Sequence, residues 1–163
     1  GYVFVYRKSS NYNIKDWDSE DLKKGIIGIV GQSPPTIPLN DHNLMANARP
    51  YRLQRDLNLP PSFIVDDLIA GKIDIAIVWG PIGGYFAKQS KEPLVVVPVP
   101  EYKSVNVKGK EEWNISVAVR KKDKDRMEMI QGALDRNQAK ILKILDDYGI
   151  PHKPVVLGDK IGN

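Results

Sequence analysis

Apolar residues along the chain fall into short β-prone runs that alternate with segments of helical spacing. Runs rich in branched and aromatic residues predict strands. The predicted strands are Tyr2–Arg7, Ile26–Val30, Ile73–Val78, Leu94–Val97 and Trp113–Arg120, with Tyr51–Arg55 as a shorter candidate. Because strands alternate with helices, the pattern predicts an α/β fold with a mixed, mostly parallel central sheet flanked by helices.

Capping residues, charge order and spacing predict the helices. The predicted helices are Asp16–Lys24, Leu39–Arg49, a segment capped by Ser62 and ending at Ala70, a segment from Pro81 to about Lys91, and a long helix that starts within Lys121–Asp125 and ends at Tyr148. Gly149 ends the long helix and Pro151 prevents its continuation. We also expect Pro154–Leu157 to extend beside a neighbouring strand, and we assign no element to Glu101–Glu112.

The segment from Gly71 to Lys88 predicts a strand, a sharp turn and a helix, with Trp79 where the strand ends. In open α/β sheets, ligands meet the carboxyl ends of the strands. The sequence therefore predicts a recognition surface there. Its candidate residues are Trp79, Pro81, Tyr85 and Phe86. The alternative is that the aromatic rings only seal the end of a core, where such residues are common.

A second candidate loop follows the Ile26–Val30 strand and contains three prolines within Gly31–Pro38. Prolines stiffen a loop and donate no N–H group, so a specific phosphate site is not expected. We expect a rigid rim of a cleft. The candidate residues are Gln32, Ser33, Pro35 and Thr36. The alternative for Ser33 and Thr36 is ordinary turn and capping chemistry.

Composition narrows the chemistry further. The 163 residues include no cysteine, which excludes disulfides, thiolate metal sites and cysteine nucleophiles. The two histidines, His42 and His152, are far apart, so we predict no metal site and no cofactor. No apolar run has the length of a transmembrane helix, and we expect no integral membrane protein.

Charge points to a protein partner more than to nucleic acid. The net charge is +4, yet the basic residues are interspersed with acidic ones, as in Arg120–Arg126. A mixed run is typical of a solvated face, and no nucleic-acid-binding motif stands out. We therefore expect no nucleic-acid binding and a basic surface that faces an acidic protein. The chain starts at Gly1 without a signal peptide, so we expect either a removed signal or a fragment of a longer protein.

The order of elements resembles the second half of a type II periplasmic solute-binding protein. More narrowly, the chain is similar to quinoprotein-dehydrogenase-associated accessory proteins of the MxaJ/XoxJ type. The most specific feature is the motif Asp-x-Ala-x-x-Trp-Gly-Pro-x-x-Gly-Tyr-Phe-Ala at residues 74–87. Three other segments carry the resemblance more broadly. They are Tyr2–Lys8, Val119–Lys121 and Ile144–Pro151.

This resemblance implies a periplasmic, non-enzymatic protein. Its partner would be a methanol dehydrogenase that depends on pyrroloquinoline quinone (PQQ), and its role would be to assist maturation or activation of that enzyme through an inter-lobe cleft. Whether the enzyme uses calcium or a lanthanide stays open. Residues 8–91 would form the second lobe, with 1–7 and 92–163 as hinge strands and the C-terminal part of the first lobe. The rest of the first lobe is missing from the sequence, so we expect an exposed apolar face that pairs with a second copy.

Other functions stay open at this stage. The main alternative is the receptor of an ABC transporter for a small organic solute. An enzyme on the same fold would need paired acid and base groups in the cleft. The carboxylates available are Asp66, Asp67 and Asp74, but they are predicted at the wrong end of a strand or on a helix surface. An effector-binding domain of a transcription regulator shares the fold, but no DNA-binding helix precedes it here.

Overall fold

A computed structural model describes residues 1–53, 55–56, 58–104 and 112–154. Its strands form a sheet with the order β3-β2-β4-β1-β5. The strands are β1 (Tyr2–Arg7), β2 (Ile27–Val30), β3 (Ala48–Tyr51), β4 (Ile75–Trp79) and β5 (Leu94–Pro98). β2 pairs parallel with β3 and β4, while β1 runs antiparallel to β4 and β5. All strands but β1 thus point the same way, which confirms the predicted mixed, mostly parallel sheet.

Four α-helices accompany the sheet in the described ranges. They are α1 (Thr36–Asp41), α2 (Phe63–Ile69), α3 (Gly80–Gln89) and α4 (Lys124–Asp147). Short 3₁₀ turns cover Lys8–Ser10, Glu20–Lys23 and Met45–Asn47. The long C-terminal helix ends as predicted, because Gly149 adopts a φ of +71° that favours glycine.

Each face of the sheet carries its own apolar core, since successive strand side chains point to opposite faces. On one face, Phe4 and Ile77 pack with Trp17, Leu22 and Leu39 from the loops and α1. On the other face, the partners are helical. That cluster comprises Val3, Val5, Ala76 and Val78 of the sheet with Ile64 and Leu68 of α2. The alternation in β1 therefore anchors both layers.

The predicted helix Leu39–Arg49 is wrong over most of its length. α1 starts three residues earlier and ends at Asp41. Asn43 follows with a φ of +58°, and the Leu44 N–H donates to the Leu39 carbonyl at 2.8 Å. Asparagine tolerates this left-handed conformation, which ends a helix. The chain then turns into β3, so the predicted strand Tyr51–Arg55 is displaced to Ala48–Tyr51.

Local side-chain bonds shorten the predicted helix Asp16–Lys24 to a 3₁₀ turn at Glu20–Lys23. The Lys15 N–H donates to Ser19 Oγ at 3.0 Å, and the Asp18 N–H donates to Asp16 Oδ1 at 3.1 Å. Such bonds compete with helical backbone bonds. Ser62 does occupy the cap position of α2, but its hydroxyl donates to Asp66 Oδ2 at 2.7 Å and makes no bond to the helix backbone.

The predicted strand Trp113–Arg120 does not form within the described residues. A strand requires a paired partner strand, and among the described residues no strand is assigned over 113–120. Its apolar side chains remain exposed, with Ile115 at 85% and Val117 at 59%. The predicted extension Pro154–Leu157 and most of the polar segment Glu101–Glu112 lie outside the described residues.

α4 spans 24 residues and buries none of them. Its apolar residues Ile130, Leu134, Ile141 and Leu145 are only half-buried, and Met127 and Ile144 are exposed. None of the helices in the described ranges is both long enough and apolar enough to cross a membrane.

Candidate functional site

The two predicted site segments lie at the same edge of the sheet. β2 and β4 are parallel neighbours, with Ile29 opposite Ile77. The Gln32–Thr36 loop follows β2, while Trp79 and Pro81 follow β4. Because both segments leave the carboxyl ends of adjacent parallel strands, this edge is where such folds bind ligands.

Trp79 forms an aromatic cluster with Tyr2 and Trp113. Its ring centroid lies 5.5 Å from that of Tyr2 and 5.7 Å from that of Trp113, and the Tyr2 and Trp113 centroids are 6.5 Å apart. Tyr2 meets both tryptophan rings edge-on, a favourable arrangement, and the two tryptophan rings are tilted by 52° to each other. Trp113 is 46% exposed, and Tyr2 and Trp79 are half-buried. The cluster therefore offers aromatic surface to an incoming molecule.

Sequence reasoning missed Tyr2 and Trp113 as members of this site. Tyr2 lies directly opposite Trp79 because β1 pairs antiparallel with β4. That pairing joins residues 77 positions apart, and the motif around Trp79 carries no sign of it. The only signal for Trp113 was a large aromatic residue at the start of an alternating run.

Backbone packing at two glycines sets the direction of α3 away from Trp79. The Gly80 N–H donates to the Gly1 carbonyl at 2.8 Å. A Cβ on Gly83 would lie 2.5 Å from Val3 Cγ2, so only glycine lets α3 pack this closely on β1. Pro81 sits in the first turn of α3, where its missing N–H costs nothing.

The Gln32–Thr36 loop is tightly built. Ser33 Oγ donates to the Val30 carbonyl at 2.6 Å, and the Thr36 N–H donates to the Ser33 carbonyl at 2.9 Å. Ser33 thus makes a bond of the ordinary turn chemistry that was the alternative interpretation for this residue. Gln32 is exposed and has a φ of +62°, a strained conformation for this residue type. Pro35 is buried. The Thr36 hydroxyl is buried without a partner among the described residues.

Tyr85 and Phe86 lie on α3 and contact each other, and Tyr85 also contacts Tyr148 directly after α4. The Tyr85 ring stacks on Tyr148 with centroids 5.8 Å apart and planes 23° apart. Phe86 meets Tyr85 edge-on at 5.1 Å. No ring contact joins either residue to Trp79 in the part of the chain that the structure describes. The structure thus brings Trp79 together with Tyr2 and Trp113, and it places Tyr85 at the base of α4.

The carboxylates considered for acid–base chemistry all have local partners. Asp74 accepts from Arg7 Nη2 at 3.0 Å and from the Ile26 N–H at 2.9 Å. It lies at the opposite end of β4 from Trp79. Asp66 accepts from Ser62, as described above. Within the described ranges, no group of three or more histidine or carboxylate side chains is placed to hold a metal ion.

Asp67 links Tyr51 to Lys72 near β3, the edge strand at the opposite end of the sheet from β5. Its two carboxylate oxygens accept from Tyr51 Oη and Lys72 Nζ, each at 2.8 Å. Burial, aided by the bond to the Asp67 carboxylate, raises the pKa of Tyr51 to about 12. The bonds from Lys72 and Tyr51 lower the pKa of Asp67 below its usual value. These groups join β3 to α2 and have no contact with the aromatic cluster.

A second polar network ties α1 to the chain that follows β5. Asp41 Oδ2 accepts from Tyr102 Oη at 2.8 Å and from Ser104 Oγ at 2.9 Å. These bonds lower the pKa of Asp41 below its usual value. His42 stacks on Trp17 and meets the Tyr102 ring edge-on. The candidate loop Gln32–Thr36 ends where α1 begins, so this network also holds the end of the loop in place.

Comparison with known proteins places this geometry among periplasmic binding proteins. No protein-family model matches the chain. The protein MoxJ of Methylorubrum extorquens is 26% identical over 95% of the chain. The alignment covers 56% of that protein, and 60% of MoxJ from Paracoccus denitrificans. The chain therefore spans little more than half the length of the curated relatives it matches.

Solved structures agree with these relatives. The periplasmic binding protein XoxJ from Methylobacterium extorquens AM1 has 29% identity and a TM-score of 0.77, with 94% of this chain and 69% of that chain covered. MxaJ from Methlophaga aminisulfidivorans has 28% identity and a TM-score of 0.75, with 93% and 66% covered. The chain thus has a type II periplasmic binding protein fold and homologues among MoxJ, XoxJ and MxaJ, which confirms the resemblance predicted from its sequence.

Proposed function

We propose that this chain is part of a non-enzymatic periplasmic accessory protein that binds a PQQ-dependent methanol dehydrogenase and assists its maturation or activation. The observation that carries the proposal is the similarity to XoxJ and MxaJ over more than nine-tenths of the chain, combined with the aromatic cluster at the sheet edge. The relatives supply the type of protein, and the cluster supplies a surface of suitable chemistry.

The aromatic cluster suits a protein segment as ligand. Half-exposed tryptophan and tyrosine side chains are the residue types that dominate binding energy at protein interfaces. Trp79 is supported from two sides by Tyr2 and Trp113, so its ring is already oriented before binding. Pre-oriented side chains lose little conformational entropy on association. The Gln32–Thr36 loop forms the neighbouring rim.

The proposed division into lobes would put a cleft at this position. We propose residues 8–91 as the second lobe, with residues 1–7 and 92–163 as hinge strands and the C-terminal part of the first lobe. β1 and β5 are hydrogen-bonded to each other in the same sheet as β4. Tyr2 and Trp113 belong to the hinge and first-lobe parts, and Trp79 belongs to the second lobe. The aromatic cluster therefore lies where the proposed lobes meet.

Charge favours encounter with an acidic enzyme surface. The chain has a net charge of +4, and the exposed residues Arg120, Lys121, Lys122, Lys124 and Arg126 precede or begin α4. Such a basic surface accelerates association with an acidic partner and makes it sensitive to salt. We therefore expect the association rate to fall as ionic strength rises.

The test is binding of purified methanol dehydrogenase to immobilised chain by surface plasmon resonance. Trp79→Ala removes the centre of the aromatic cluster, and we expect it to weaken binding by about 2 kcal/mol, or roughly thirtyfold, because truncated aromatic hot spots cost this much. Tyr12→Ala is the matched control. Tyr12 is a half-buried aromatic residue that contacts Tyr6, at the opposite end of β1 from Tyr2.

A thermal-shift screen with amino acids and small organic acids complements the binding experiment. Ligands that bind only the folded state raise the melting temperature by mass action. A strong shift with one solute, together with no binding of dehydrogenase, would contradict the accessory role and favour the receptor of an ABC transporter. Equal weakening by Trp79→Ala and Tyr12→Ala would contradict the role of the aromatic cluster.

We also propose that the exposed apolar face of residues 113–148 pairs with a second copy when the chain stands alone. Its exposed members include Ile115, Val117, Met129 and Ile144. Where exposed apolar residues are contiguous, they mark interaction sites. Sedimentation velocity over a range of concentrations tests the idea: a growing dimer fraction is expected, and a monomer at every concentration would refute it.

A further inference from the structure

Among the described residues, 112–154 form an arm whose contacts with the rest of the protein lie mainly at its base. The arm consists of segment 112–123, which has no strand or helix assigned, and the returning helix α4. Trp113 at its start contacts Trp79, and the Glu112 and Lys153 side chains form a 2.5 Å ion pair that closes the base. Among the described residues, the middle of α4 makes only internal polar contacts, such as Gln131 to Asp135. The orientation of the arm therefore depends on contacts at the base.

The tightest contact at the base is between two backbones. A Cβ on Gly84 of α3 would overlap the carbonyl oxygen of Gly149 and lie 2.7 Å from Pro151 Cδ. Gly149 itself has a φ of +71°, and a Cβ there would lie 3.0 Å from the Gly84 carbonyl oxygen. Glycine at both positions lets the end of α4 approach α3 at backbone distance.

Lys88 and Tyr85 hold that approach from either side. Lys88 Nζ donates to the carbonyl oxygens of Asp146 at 2.9 Å and Asp147 at 2.8 Å. These are terminal carbonyls of α4 and carry the negative end of its dipole. The Asp146 carbonyl also accepts from the Gly149 N–H at 3.0 Å, so Lys88 adds a charged donor to the end of the helix. Tyr85, one turn earlier on α3, stacks on Tyr148.

We propose that Lys88 and Tyr85 are positioning residues that fix the angle of the arm on the sheet through the junction of α3 with the end of α4. The junction uses residues separate from the aromatic cluster. It therefore sets where Trp113 and the rest of the arm lie before any partner binds. Lys88 of α3 caps the C-terminal end of α4 with its ammonium group. Tyr85 of α3 packs beside that end through its contact with Tyr148.

A distance measurement on the full chain tests this inference without any partner, so its outcome is independent of the proposed function. The sequence contains no cysteine, which allows specific spin labelling. Exposed Ala70, next to α2, and exposed Gln138, on α4, are replaced by Ala70→Cys and Gln138→Cys. Electron–electron double resonance then gives the distribution of distances between the body and the arm. We expect one narrow distribution for the parent chain.

We expect Lys88→Ala and Tyr85→Ala each to broaden the distribution of distances between the two spin labels. Lys88→Arg should restore much of the narrow distribution, because the guanidinium can also donate to helix carbonyls. Lys91→Ala removes a nearby exposed lysine and should leave the distribution narrow. Circular dichroism confirms that each variant is folded. A narrow distribution in folded Lys88→Ala and folded Tyr85→Ala would overturn the proposal, as would a parent chain that is broad to the same degree.

Discussion

The sheet body, residues 1–104, and the arm, residues 112–154, bury their apolar residues to very different extents. The body has two apolar clusters, one on each face of the sheet, with Phe4 and Leu68 fully buried. α4 buries no residue, although its sequence has helical spacing of apolar positions. Both regions have regular backbone structure. The two regions therefore differ in one respect. The elements of the body bury their apolar faces against one another, whereas the apolar face of the arm is not buried by the described residues.

The two regions depend on different kinds of stabilisation: the arm on local helix bonds, and the body on tertiary packing. A long helix with good helix formers can persist with modest support, since each residue adds one backbone bond once the helix is nucleated. A sheet requires distant strands and buried side chains. We therefore expect substitutions in the body to change global stability, and substitutions in the arm to change mainly its attachment or its helix propensity.

The largest expected effect comes from Phe4→Ala. Phe4 is fully buried between β4, β5 and Trp17, so its truncation should lower the free energy of unfolding by about 3–5 kcal/mol. The matched substitution in the arm is Ile115→Ala. Ile115 is 85% exposed, and the change should stay within about 0.5 kcal/mol. Urea unfolding measures both, and comparable losses would contradict the division into body and arm.

Sequence patterns predicted four strands of the body closely but failed for the strand expected in the arm, because only the body strands have neighbours to pair with. The β4 strand, the turn at Trp79 and the start of α3 at Gly80 are encoded within a dozen neighbouring residues. Alternation in Trp113–Arg120 carried an equally strong strand signal, yet no described strand pairs with it. A β pattern specifies a preference, and hydrogen-bonded pairing requires a second segment.

The candidate site was predicted in part for a related reason. Trp79 and the Gln32–Thr36 loop follow parallel strands, and general rules place such ends together. Tyr2 and Trp113 reach the site through long-range pairing and packing that the sequence does not display. Tyr85 was assigned to the cleft by proximity in sequence to Trp79. The helical turn between them directs Tyr85 towards Tyr148 at the end of α4, and its place in a partner cleft stays a prediction.

The second largest effect is expected at the base of the arm. Gly84→Ala places a methyl group against the Gly149 carbonyl, and we expect a loss of about 1–3 kcal/mol from overpacking. The gain in helix propensity, about 1 kcal/mol, offsets only part of it. Differential scanning calorimetry should show a lower melting temperature. An unchanged or higher melting temperature would mean that α4 moves away from α3 at little cost.

A smaller effect of opposite sign is expected within α4. Among the described residues beyond the helix's own backbone, the one atom that a Cβ on Gly132 would approach is Arg136 Nη1, at 3.1 Å, and this is the end of a flexible side chain. Gly132→Ala should therefore increase helix stability by about 0.5–1 kcal/mol. Helix content by circular dichroism during heating measures the gain. A loss of stability would indicate that the middle of the arm packs against another surface, as the elements of the body do.

The smallest expected effect is a loss of stability at alkaline pH, and it involves the body alone. The folded state raises the pKa of Tyr51 from 10.0 to about 12, so it favours the neutral phenol. The resulting stability is fully present below pH 10 and is lost as the pH rises from 10 towards 12, because the unfolded state then releases the proton more readily. Tyr51→Phe should remove this alkaline decline in melting temperature. Lys143→Ala, which breaks an exposed ion pair with Asp147 in the arm, should leave the decline unchanged. If Tyr51→Phe retains the full decline while its neutral stability is unchanged, the bond from Tyr51 to Asp67 does not control the alkaline limit of the body.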